Sequence, residues 1–164
     1  MDALDLLRTQ VENADRILRQ VFGTVTPEHA AWRLPGSIAN TIGATFMHVY
    51  YSEDQMVHGA QDSETIFNAK GWKERLGYDH SDVWAFTGKH DPALLLEYAG
   101  AVSAATTEYL SSLPSNALEE DIDTPRGRQP RATRLSVYLV NHKFQHTGEI
   151  AALLGCQGEK GLPF

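Results

Sequence analysis

His142 and His146 stand four residues apart in a stretch, Arg134 to Gly155, with the apolar periodicity of an amphipathic helix. Four residues make one helical turn plus about 40°, so both imidazoles leave the same face with Cβ atoms roughly 5–6 Å apart. That separation lets two ring nitrogens reach one metal ion at about 2.0–2.1 Å each. Leu135, Tyr138 and Leu139 precede them on the stripe, and Glu149 and Leu153 follow. A stripe that begins apolar, turns to imidazole and ends apolar is expected to face a core that holds a polar site. Two ligands hold a metal poorly, so a third must come from elsewhere in the chain. His48 is the candidate. It lies inside a second helical stretch, and Thr41, Ala44 and Thr45 leave room beside it. Taken alone, His48 also reads as a packed, hydrogen-bonded core histidine; the pair on the last helix gives the ligand reading its weight.

Three neutral imidazoles would leave an ion its full dipositive charge and keep coordination positions open, the pattern of a catalytic site. Such an ion lowers the pKa of bound water or of a coordinated thiol. Imidazole suits zinc, nickel, copper or iron, so these ligands do not select the metal. Glu149 shares the face of His142 and His146; it could orient a ligand, act as a base, join the ligands, or simply hold an imidazole N–H. Tyr51 and Gln55 share the face of His48 and are expected to line a pocket, as is Tyr138, one turn before His142; the two tyrosines fit a core role as well. Glu53 is five residues past His48, about 140° round the helix, so no ligand role is expected for it. His29, His58, His80 and His90 fall near helix ends or in loops and are expected at the solvated surface. Cys156 is expected to be a small buried hydrophobe and not a nucleophile. The sequence contains no P-loop, dinucleotide fingerprint, HExxH or nucleophile elbow.

The elements that must position these residues are helices. Leu4, Leu7, Val11, Ala14, Leu18 and Val21 predict a first helix over 2–22, ended by Gly23. Thr26 and Pro27 start a short helical turn, and Trp32 is expected to plug one end of the core. The second helix is predicted over 37–58, with Ile38, Ile42, Thr45, Phe46 and Val49 giving the period. Residues 59–90 show no sustained period; that is too long for a plain connection, so short helical turns packed on the outside are expected. Asp91 as N-cap and Pro92 as first helical residue open a third helix to 112. A connection over 115–131 follows. Its basic stretch Pro125 to Arg131 reads as a solvated loop. The fourth helix is predicted over 133–155, ended by Gly155. The class is therefore all-α.

The resemblance is to the DinB-like superfamily of four-helix-bundle proteins, which includes bacterial thiol-dependent transferases. It is carried by Ser37-Ile-Ala-Asn-Thr-Ile-Gly-Ala-Thr-Phe-Met-His48, Glu53, His142-Lys-Phe-Gln-His146-Thr-Gly-Glu149 and the ending Gly161-Leu-Pro-Phe164. It implies zinc or nickel on His48, His142 and His146, an up-down-down-up bundle with one long crossover between the second and third helices, and a homodimer.

The chain has 164 residues and a formal net charge of −7. That length suits one domain, 1–164, with a real core. The charge argues against nucleic acid or an anionic membrane as partner. One cysteine excludes an internal disulfide and fits a reducing cytoplasm, and no apolar run approaches a membrane span. Two functions are expected to compete. One is an enzyme that activates a low-molecular-weight thiol (an S-transferase) or water (a hydrolase) against a small-molecule substrate. The other is a non-catalytic stress-response protein that binds metal or a ligand.

Overall fold

The computed structural model describes residues 2–124 and 127–162, and it is mostly helical. The first long helix, α1 (Ala3–Phe22), is opened by a capping box. Asp2 accepts the Asp5 N–H at 2.8 Å, and the Asp5 carboxylate reaches back to the Asp2 N–H; two of the unpaired first-turn donors are thereby satisfied. Leu4, Leu7, Val11, Ala14, Leu18 and Val21 are all buried, as their spacing predicts. A short α2 (Pro27–Ala31) follows, capped by Thr26. Trp32 is partly buried against the core.

The second long helix, α3 (Ile42–Gly59), begins five residues later than its apolar pattern suggests. Ser37 binds the Ala39 N–H and Thr41 binds the Ala44 N–H. These side chains give the backbone local partners that compete with a helix, so the cap falls at Thr41. Ile38, assigned by its spacing to the apolar face, is fully exposed.

Between α3 and the third long helix, α6 (Pro92–Ser112), the chain forms α4 (Ile66–Ala69), α5 (Trp72–Leu76) and a 3₁₀ turn over His80–Asp82. This segment is pinned from inside. Asp54 of α3 is fully buried and accepts the Ile66 and Phe67 N–H groups, each at 2.9 Å, and the Tyr98 hydroxyl at 2.7 Å. A carboxylate at the start of α4 thus satisfies donors that the short helix cannot. The Asp91 side chain caps α6 through Ala93 and Leu94.

The 115–131 connection carries a 3₁₀ turn and a two-residue antiparallel pair, β1 (Asp121–Ile122) with β2 (Gln129–Pro130). Pro125 and Arg126 of the basic stretch lie outside the described residues, as do Pro163 and Phe164 of the C-terminal motif. The last helical run is not uniform. It comprises α7 (Arg131–Leu135), a π-helical turn (Ser136–Asn141) and α8 (His142–Cys156). It passes through Gly155, so that glycine does not end it.

α1 packs on α8 and α6, and α3 packs on the same two, closing a ring of four long helices. Among the described residues the interior holds two apolar clusters. One gathers Leu18, Phe22, Phe46, Tyr50, Tyr98, Ile150 and Leu154; the other gathers Leu7, Val11, Val57, Leu110, Leu135 and Leu139. Between them lies a polar layer with a contribution from each long helix. Lys143 of α8, fully buried, reaches Glu53 of α3 at 2.8 Å and Asp15 of α1 at 3.1 Å. Ser103 of α6 donates to Asp15, and Thr106 of α6 donates to Glu53.

Two histidines expected at the surface are not there. His90 is buried, its ring between the Tyr78 hydroxyl and Thr41. It lies over Gly43, where any Cβ would overlap its ring. His58 pairs with Asp54 at 2.8 Å. Cys156, expected to be buried, is exposed, because it lies on the outer face of the last turn of α8.

Candidate metal centre

His48 comes from the middle of α3, and His142 and His146 come from the first two turns of α8. The contact between those helices brings the three rings together. His142 Nε2 lies 3.2 Å from His48 Nε2 and 3.1 Å from His146 Nε2. The rings stand nearly edge-on to one another, with interplanar angles of 82–87°. One ligating nitrogen from each residue lies within 4.8 Å of the other two.

These distances fit a shared ion. Two nitrogens at about 2.0–2.1 Å from one ion, at a tetrahedral angle, lie about 3.3 Å apart. Protonation state fits as well. Burial, followed by the charge of His146, holds His48 below the usual histidine range. Burial, then His146 and His48, pushes His142 down to about 4. Both are therefore neutral at pH 7, the form that ligates. Glu149 accepts from His146 Nδ1 at 2.7 Å, which turns the lone pair of Nε2 toward the other two rings. Thr45 of α3 in turn approaches Glu149 at 3.5 Å. His142 Nδ1 has no hydrogen-bond partner among the described residues.

The His48 and His142 imidazoles open onto a cavity of about 480 Å³, lined also by Ser52, Gln55, Arg134, Tyr138 and Gln145 among others. A neighbouring cavity of about 320 Å³ shares His48, Ser52 and Gln55, and adds Tyr51, His80 and Trp84. Gln55 thus borders both, and its amide donates to the Tyr51 hydroxyl. Tyr51 stacks on His80 at 3.8 Å, which fixes one wall of the second cavity. Trp84 lies over His48 with ring centroids 4.9 Å apart.

Glu53 points away from the imidazoles into the polar layer, as its angular offset requires. Sequence reasoning left three features unread. Trp84 and His80 arrive through the crossover, which has no periodicity to place them. Lys143 is adjacent to His142 but faces the opposite side. Arg134 was hidden by the π-turn.

The family model of the DinB superfamily matches residues 10–150, a span that holds the three histidines and Glu149. A crystal structure of a conserved protein from Enterococcus faecalis is similar in fold, with a TM-score of 0.77 at 17% identity, over 93% of this chain and 95% of that one. No curated protein matches the chain.

Proposed function

The chain belongs to the DinB superfamily, and on that premise we propose that His48, His142 and His146 bind one divalent metal, zinc or nickel, at the active site of an enzyme. The observation that carries this reading is the convergence of three Nε2 atoms beside an open cavity that His48 and His142 line. Bound there, such an ion would supply a lowered pKa to a thiol or water, giving a nucleophile at neutral pH. The chain's own residues do the rest. Glu149 fixes the His146 tautomer and is available as a proton acceptor at its second oxygen. Tyr51 and Gln55 line the wall where a thiol cofactor and small-molecule substrate would sit. Trp84 and Tyr138 shield the site from bulk water. In the transfer step the thiol gives up its proton, a carbon–sulfur bond forms, and the leaving group departs with the electron pair.

In this reading residues 1–164 form one domain, an up-down-down-up four-helix bundle with 59–90 as its crossover, working as a cytoplasmic homodimer. The competing reading is a metal- or ligand-binding stress-response protein without catalysis. Turnover separates the two. Zinc- or nickel-loaded protein, given 2-sulfanylethanol and 1-chloro-2,4-dinitrobenzene, is expected to consume thiol faster than the chelator-treated protein does, and the same comparison with a nitrophenyl ester tests hydrolysis. Equal rates with and without metal in both assays would favour the non-catalytic reading.

A further inference from the structure

Arg134 is half-buried in the wall of the 480 Å³ cavity beside His48 and His142. Among the described residues it has neither an ion pair nor a hydrogen-bond partner, unlike Arg131, which pairs with Glu120 at 2.8 Å. Its guanidinium lies 4.0 Å over the Tyr138 ring. That stack removes water from one face of the guanidinium and fixes its plane, leaving its edge free as a planar, forked donor.

The π-turn is what puts it there. Arg134 precedes His142 by eight residues, which in a uniform α-helix is about 80° off its face. A π-turn takes up one extra residue, so the segment behaves as about seven and the offset falls to about 20°. The irregular turn Ser136–Asn141 thus aligns Arg134 with the imidazoles.

The cavity's other polar groups are neutral. Gln55, Gln145, Ser52 and Tyr138 line it, and among the described residues no carboxylate does; Asp123 borders the adjoining cavity that Arg134 also lines. In a chain of formal net charge −7, a wall with one unpaired guanidinium and no acid favours an anionic ligand. A single fork surrounded by neutral amides matches one planar negative charge better than the double charge of a phosphate. Building on the metal site proposed above, we propose that Arg134 is the anion-recognition residue of this cavity and that the molecule bound there carries a carboxylate.

The test uses two thiols of similar size, 3-sulfanylpropanoate and 2-sulfanylethanol, titrated into cobalt(II)-loaded protein and followed by the thiolate-to-cobalt absorption. The anionic thiol is expected to bind on the order of tenfold more tightly, the effect of one charge-assisted forked pair. In Arg134→Gln that ratio should fall to near one, and in Arg134→Lys, which keeps the charge without the fork, it should lie between. Equal affinities in the parent, or an unchanged ratio in both variants, overturn the proposal. A second arm stands apart from the metal. In metal-free protein the Arg134 Nε–H resonance, identified by its loss in either variant, should shift with 3-sulfanylpropanoate and stay still with 2-sulfanylethanol. Failure of cobalt to bind would end the metal reading, and this arm would still decide Arg134. No shift with 3-sulfanylpropanoate, or a larger response to inorganic phosphate, would overturn the carboxylate assignment.

Discussion

α3 and α8 carry two polar clusters back to back. On one side Lys143, Glu53 and Asp15 form a closed set: the cation and Glu53 are fully buried, and hydroxyls from Tyr50, Ser103 and Thr106 bond to the carboxylates. Burial alone would depress Lys143 and raise Asp15, but the charges of Glu53 and then Asp15 hold the lysine up, and Lys143 with the Ser103 and Tyr50 hydroxyls holds Asp15 down. On the other side His48, His142 and His146 are half-buried beside a cavity that His48 and His142 line. They point at one another although none can satisfy the others as a set. His142 and Lys143 are neighbours in sequence and serve opposite faces. The contrast separates a network whose polar needs are met within the protein from one whose needs a ligand would meet. The first sets the level at which four helices meet; the second is where chemistry can happen.

The closed network should break hardest. Lys143→Met removes the cation paired with the fully buried Glu53, and should cost about 3–5 kcal/mol in urea unfolding. Replacing Lys143, Glu53 and Asp15 together with apolar residues should cost far less than that single change. The open cluster should behave oppositely. His146→Ala should leave metal-free stability nearly unchanged. It should, however, lose the stabilisation that zinc gives the parent, about 2.7–4 kcal/mol at 100–1,000 times Kd. Glu149→Gln should weaken zinc binding by about 10–100-fold while leaving the stoichiometry intact; loss of binding altogether would make Glu149 a ligand.

A further effect is that of pH. His142 is held at about 4 in the folded chain, against 6.5 for the free side chain. Between those values the unfolded chain binds more protons, so stability falls as pH drops through this window and levels off below it. His90, also held at about 4 by burial, contributes to the same slope. Metal-free His142→Ala should therefore show a shallower loss than the parent from pH 6.5 to 4; identical slopes would mean His142 is not held neutral.

Periodicity placed the long helices well where caps were also present: Asp2 and Asp91 fix α1 and α6 within a residue. It misplaced the start of α3, because Ile38 continues the apolar spacing while Ser37 and Thr41 hold the backbone in turns. The histidine pair could be read from spacing alone, since four residues in regular α-helix leave little freedom. Arg134 could not, because a π-turn resets the phase and nothing in Ser136–Asn141 announces one. The polar layer escaped for a different reason. Its members are single residues on four separate helices, and each looks like a solvated charge until the helices are packed.

The central claim is that three histidines bind one ion. Its most direct measurement is metal content after refolding with zinc or nickel and exhaustive dialysis, on the parent and on His48→Ala, His142→Ala and His146→Ala. The expected result is one ion per chain in the parent and a substoichiometric amount in each variant. A parent that retains neither metal above background, or variants that retain as much as the parent, would contradict it.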